Sequence, residues 1–272
     1  TGFTALFNTI GYVTEAHMLK TYTERVEATY AFLDVLVQQA EEKHTELQEA
    51  RKQARQLAHS SLAVRWELDT TSSSMIDFLG YEAGEKISRA TGLPRLFYDT
   101  AKPLTFQVPF YNDYVPTVTI EQPQAYIVPQ AWHEVVDLLK LNNVKMQRLT
   151  TDIVLPVEVY YIEQYETINF PWEGHFLHYN IDVRKEAQEL SFYTGDYVIY
   201  PDQEAVQYIM HVLEPQSVDG FFAWNFFDAV LGQKEYFSGT IILIFQLLHK
   251  IGFWMAWSIW MKILLLYIMK SK

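Results

Sequence analysis

Apolar positions recur along this chain with two different periods, and each period predicts a different architecture. Val26, Tyr30, Leu33, Val37, Ala40, Leu47, Ala50, Ala54 and Leu57 return at spacings of mostly three, four or seven. This predicts one helix from about Tyr22 to Ala58 that Thr21 or Thr23 can cap. At about 1.5 Å per residue such a helix is on the order of 50 Å long. Its second half, Glu41 to Arg55, is nearly all polar, which predicts a solvated arm. Ahead of it, Ile10, Tyr12 and Val13 form a β-prone run with Gly11 inside, ending in Thr14-Glu15-Ala16-His17.

Beyond the helix the period falls towards two. Ala63 to Leu68 reads as a short alternating strand between the polar stretches His59-Ser-Ser61 and Thr70 to Ser74, and a domain boundary is placed there. Pro103, Pro109, Pro116 and Pro123 forbid a long helix between Phe97 and Ile127 and suit extended edge strands and turns. Ala125 to Val128 reads as a strand, and a helix follows from Pro129 until Asn142-Asn143 ends it. Strands are then expected at Asp152 to Glu163, His175 to Val183, Gln188 to Tyr193 and Tyr197 to Tyr200, with a last helix from Gln203 to Leu213. Alternation and turn signals suggest antiparallel pairing with one buried face, as in a β-sandwich carrying a few helices.

Composition narrows the class. The 272 residues allow one large domain or two ordinary ones, and 49% hydrophobic with 20% charged residues suffices for real cores. A formal net charge of -12 argues against a nucleic-acid partner. With no cysteine, disulfides, thiolate metal ligands and a cysteine nucleophile are excluded together, without fixing a compartment. Thr1 to Ile10 has no basic region of the kind that opens a signal peptide.

Candidate chemistry centres on Glu15 and His17. If the backbone stays extended through Ala16, they point to one side. A carboxylate there can act as a general base, or Glu15 simply caps or pairs near the following helix. His175 and His178 flank the same region as Glu173, but residues three apart on a strand face opposite ways and do not share an ion. His211-Val-Leu-Glu214 has H-x-x-E spacing and lies on a helix running into Pro215, where it reads as helix-end polarity. Gly220 to Asp228 is aromatic enough for a sugar- or peptide-binding groove, but the wide spread of Phe and Tyr along the chain favours a core plug closing the domain.

The stretch Thr1 to Lys20, with Arg25-Val-Glu-Ala-Thr-Tyr30, resembles the last strand and last helix of zinc carboxypeptidases of the carboxypeptidase A-like superfamily. In that resemblance Glu15, from the T-E-x-H segment, polarises a zinc-bound water and shuttles its proton. Gln122 to Trp132, Pro171 to His175, Gly195 to Ile199, Leu213 to Pro215 and Trp224 to Asp228 resemble the ancillary region of bacterial members. The family's zinc ligands, an H-x-x-E pair and a later histidine, all precede the catalytic glutamate, so His211 and Glu214 come in the wrong order.

The implied architecture has three parts. Residues 1-60 are an α/β remnant, the last strand and long helix of a carboxypeptidase domain. Residues 61-235 are a mostly antiparallel β-rich α+β domain, sandwich-like. Residues 236-272 form an apolar tail with none of the 33 acidic residues. The implied enzyme hydrolyses carboxyl-terminal peptide bonds, with zinc in the complete parent and none held by this portion. Its partner is a peptide substrate and its location periplasmic or extracellular; the alternative is a non-enzymatic peptide- or glycan-binding module. For the tail, three accounts stand: a shifted reading frame, a membrane helix within 240-269 with Trp254, Trp257 and Trp260 as belt residues, or buried core.

Overall fold

The computed structural model describes residues 2–18, 20–56, 60–232 and 263–269. Two compact units emerge: Thr1–Val64 with Thr119–Lys272, and Arg65–Val118. The chain passes from one to the other within β1 (Ser61–Leu68) and β4 (Tyr114–Glu121), which pair with each other.

The larger unit is built on a six-stranded antiparallel sheet. Its strands are β5 (Ala125–Val128), β6 (Gln147–Arg148), β7 (Ile153–Thr167), β8 (His178–Phe192), β9 (Tyr197–Ile199) and β10 (Ile263–Met269). Their order is β6-β9-β5-β10-β7-β8. β5 is wholly buried, which explains a continuous apolar tetrapeptide where a half-exposed strand alternates. On one face Ala125, Ile127, Val157, Val159, Tyr161, Phe192 and Val198 form a cluster. Tyr126 and Tyr160, one position out of phase, reach the carboxylate that follows α5 (Val206–Leu213). α5 buries Tyr208, Ile209, Met210, Val212 and Leu213, and α4 (His133–Leu141) buries Val135, Val136 and Leu139. At roughly 1.5–3 kcal/mol per buried large apolar side chain, these faces carry most of the stabilisation of the unit.

Several expectations meet a different outcome. β7 and β8 form one long hairpin, paired from Ile153↔Phe192 to Thr167↔His178 with bulges near Gln164, where two strands were expected in place of β8. Continuous pairing keeps Lys185, Glu186 and Ala187 in the ladder although their side chains carry no strand signal. Among the described residues no second sheet of comparable size faces this one, since the others have two strands each. Of the tail, residues 263–269 are strand, paired with both β5 and β7. The rest of the expected membrane segment lies outside the described residues, and none of the described helices is long and apolar enough to cross a membrane.

The amino-terminal part holds α1 (Gly2–Ala5), α2 (Tyr22–Glu42) and α3 (His44–Gln56). Thr21 caps α2 in a full capping box with Glu24. The single predicted helix breaks at Lys43, because the His44 ring takes the Glu41 carbonyl at 2.9 Å, an insertion of a side chain into the helical ladder. The apolar stripe predicted on α2 faces outward: Val26, Tyr30, Leu33 and Val37 are 48%, 73%, 50% and 67% exposed.

The smaller unit is a two-stranded ribbon of β2 (Ser74–Ile87) and β3 (Pro94–Phe110), in register from Ser74↔Phe110 to Ile87↔Pro94 with a shift at Tyr81/Glu82. Pro103 and Pro109 are tolerated because β3 pairs along one edge, leaving the other without ladder donors to supply. Gly92, at φ +70°, makes the tight return.

Candidate functional site

The expected strand at Ile10 to Val13 does not form. Residues 9 to 17 are irregular, and no described strand pairs with them. An isolated β-prone run has no ladder to satisfy its amides and stays open. Glu15 and His17 are both exposed. Glu15 is also six residues short of the cap at Thr21, so it neither caps α2 nor lies in its first turn.

What precedes Glu15 is nevertheless held in place. Arg51 on α3 donates from Nε to the Asn8 carbonyl at 3.0 Å and from Nη2 to Thr9 Oγ1 at 3.0 Å. Phe7 stacks on Tyr208 at 5.3 Å, and Tyr12 meets Phe32 edge-on at 5.8 Å. Asn8, at φ +51°, turns the chain between these anchors. The result is a cleft of about 570 Å³ between Thr9–Tyr12 and the elbow of α2 and α3. Its walls are apolar at Ile10, Tyr12, Leu36 and Leu47 and carry Lys43 and Arg51. A smaller neighbouring hollow adds Lys52 and Arg55, the latter paired with Glu204 at 2.7 Å. An apolar recess with a few cations suits a ligand with an apolar side chain and a carboxylate. Sequence reasoning missed Lys43, His44 and Arg51 because a mixed-charge helix looks uniformly solvated; the elbow that gathers them leaves no periodic signal.

The H-x-x-E pair is structural. Glu214 is almost fully buried; Tyr126 donates to its Oε1 at 2.7 Å and Tyr160 to its Oε2. Burial pushes its carboxyl up against the opposing pull of the two hydroxyls. Burial also raises Tyr126 well above the phenol range, with Glu214 adding to it. His211 turns Nδ1 to the Gln207 carbonyl at 3.0 Å, and burial pushes its imidazole down. Among the described residues no three His, Asp or Glu side chains stand close enough to hold a metal.

His175 and His178 also part company. His175 lies in the turn bridged to Trp172, against Trp224 and Phe226. His178 opens β8, buried, with Thr167 Oγ1 at 2.8 Å from Nδ1 and Asp228 Oδ1 at 2.9 Å from Nε2. The aromatic run from Gly220 is core: Phe222, Ala223 and Phe227 are buried, so the groove does not form there. The Gly195-Asp196 turn is likewise structural. A Cβ at Gly195, whose φ is +102°, would meet Arg148 Nη2 at 2.7 Å, and Asp196 accepts from the Gln130 and Tyr193 amides.

Comparison with known proteins gives a distant likeness. The chain is similar to Carboxypeptidase 2 of Trichophyton rubrum, 23% identical over 119 residues, which is 44% of this chain and 22% of that protein. The proteins of the same name from Trichophyton tonsurans and Trichophyton equinum are 22% identical over 117 residues, 43% of this chain and 22% of each. The chain thus spans about a fifth of the length of the curated relatives it matches, and these are fungal rather than bacterial. No family model matches, and no solved structure does.

Proposed function

We propose that this chain belongs to a peptidase of the carboxypeptidase type. In this reading it supplies the carboxyl-terminal part of the catalytic domain, followed by an accompanying β-rich domain. The observation that carries the reading is the exposed apolar stripe of α2, continued by Ile10 and Val13 at 61% and 66%. An amphipathic helix buries its apolar stripe against something, and contiguous apolar exposure marks a surface that packs. In a complete catalytic domain that surface lies against the rest of the sheet, and Ile10 to Val13 becomes its last strand. Glu15 then stands at a strand end beside the cleft and takes the proton of the attacking water. The described residues do not fit a zinc ion, so in this reading its ligands belong elsewhere in the protein. The cleft between Tyr12 and Lys43 receives a peptide whose terminal carboxylate meets Lys43 and Arg51. Action outside the cytoplasm, in a periplasm or the extracellular space, is part of the same proposal.

Peptide titration followed by calorimetry tests this. A peptide with a free carboxyl end should bind the 272-residue chain, and its amidated twin should bind about tenfold more weakly, the loss expected for a charge-assisted contact. Equal binding of both sinks the assignment of the cleft. With zinc added, the chain should show no turnover of either peptide; appreciable turnover would mean that a metal site has been misplaced.

A second reading, a peptide-binding module without chemistry, is favoured by the exposure of Glu15 and by the lack of a three-ligand group among the described residues. It predicts the same binding and the same discrimination. Glu15→Gln separates the two in any active longer form of the protein, where only the peptidase reading expects a loss of about 100-fold or more in kcat.

A further inference from the structure

We infer that Thr167, His178 and Asp228 form a second, independent site, a nucleophilic centre that cleaves small acyl esters. The three groups stand in line, with Thr167 Oγ1 2.8 Å from His178 Nδ1 and His178 Nε2 2.9 Å from Asp228 Oδ1. An ionised carboxylate only accepts hydrogen bonds, so Nε2 carries the proton towards Asp228, the Asn225 amide 3.2 Å from that nitrogen donates to the Phe176 carbonyl and Asp228 instead, and Nδ1 presents its lone pair to the threonine hydroxyl. This is the order of roles that activates a hydroxyl nucleophile, recognised by geometry rather than by which ring nitrogen faces which partner.

Burial follows the same logic. His178 is 7% exposed, held edge-on by Tyr165 at 4.7 Å and flanked by Phe222 at 5.2 Å, so the imidazole keeps one orientation. Thr167 is exposed and open to an incoming carbonyl. The site lies at the neck of the β7–β8 hairpin, where Thr167 pairs with His178 and the Ile168 amide bonds the Leu177 carbonyl. The loop leaving that neck exposes Phe170, Trp172 and Phe176, an apolar rim for an acyl chain or aromatic alcohol. Glu173, Asn180 and Asn225 hold φ values of +50°, +49° and +68° around it, backbone strain of the kind that collects at functional sites. Asn225 fixes the loop by donating from Nδ2 to the Phe176 carbonyl at 2.8 Å.

The chemistry balances within these groups and water. Thr167 Oγ attacks the ester carbonyl carbon while its proton passes to His178 Nδ1, and Asp228 stabilises the resulting imidazolium. The ester C–O bond breaks and the departing alkoxide takes the proton from Nδ1. Water, deprotonated by the same nitrogen, then attacks the acyl carbon; the bond from that carbon to Thr167 Oγ breaks, Oγ takes the proton back from Nδ1, and the acid leaves.

The test is p-nitrophenyl acetate with the 272-residue protein, read as p-nitrophenolate release and as the site of acetylation by peptide mass. An acetyl group on Thr167 is expected. Thr167→Ala should abolish that adduct and lower the rate about 100-fold, and Thr167→Ser should retain it. Asp228→Asn, a change at a positioning residue, should lower the rate and alter its pH profile with the far-ultraviolet spectrum intact. Acetylation confined to amino groups, or a Thr167→Ala rate equal to that of the parent, overturns the proposal. Neither outcome touches the cleft at Arg51, so this site and the peptide site fail separately.

Discussion

Glu214 is a buried carboxyl held by two tyrosine hydroxyls, and its behaviour with pH follows from these surroundings. Burial raises its carboxyl in the folded state, so the folded form favours the protonated acid over the anion. A group whose folded pKa lies above the unfolded one stabilises fully below the unfolded value, and that stability is lost as pH rises through the folded value. The fold should therefore weaken from about pH 4.5 upward as far as this residue is concerned. Glu214→Gln should flatten that dependence in thermal melts, because an amide offers one acceptor and one donor to Tyr126 and Tyr160 without charge. Glu214→Ala should cost about 2–5 kcal/mol in urea titrations, since it orphans two buried hydroxyls and leaves a void. Identical pH dependence in parent and Glu214→Gln would show that the residue is charged at no cost. Glu214 also shows where residue-level inference from sequence stops. The H-x-x-E spacing was legible, and its reading as helix-end polarity agrees with α5 ending at Leu213, but the tyrosines that define its chemistry come from β5 and β7, 88 and 54 positions away.

Elements were legible where local chemistry and period agree. Ala125–Val128 and Ser61–Leu68 lie within a few residues of the expected strands, and the cap falls on Thr21, one of the two threonines expected to supply it. Thr21→Ala removes the capping hydroxyl and should cost about 1 kcal/mol, seen as a lower urea midpoint and weaker helical dichroism. No change in either would mean that α2 is held by tertiary contacts alone. Legibility failed where a long-range or side-chain effect overrode the local pattern. The break at Lys43 depends on a ring that captures a carbonyl, with neither proline nor glycine to announce it. The stretch Ile10 to Val13 has strand composition but no neighbour, and pairing, not propensity, makes a strand. α4 begins at His133 rather than at Pro129, because Pro129 to Trp132 first completes a turn through the Trp132 amide.

Across the whole molecule, apolar surface is divided unequally. The sheet of the larger unit buries its residues on both faces along β5, whereas α2 and the β2–β3 ribbon leave large apolar side chains such as Leu33, Val37, Leu79 and Leu96 exposed. Val26→Glu with Val37→Glu should leave the unfolding free energy of the chain in urea titrations nearly unchanged, within about 0.5 kcal/mol, because these side chains lose little contact. The same pair should reduce binding of a hydrophobic dye and any concentration-dependent association seen by light scattering. A loss of more than about 2 kcal/mol would instead place that stripe inside the fold. The candidate sites divide in the same way: the catalytic role expected of Glu15 needs surroundings beyond the described residues, while the Thr167 centre draws its groups from the β7–β8 hairpin and the turn at Asp228.

The buried strand β5 finds its partner β9 only about 70 residues further along the chain. During synthesis at about 5–20 residues per second, Ala125 to Val128 therefore emerges from the ribosome and waits on the order of ten seconds before its neighbour exists. For that interval a bare apolar tetrapeptide, destined for the centre of a sheet, is a binding site for chaperones and a seed for aggregation.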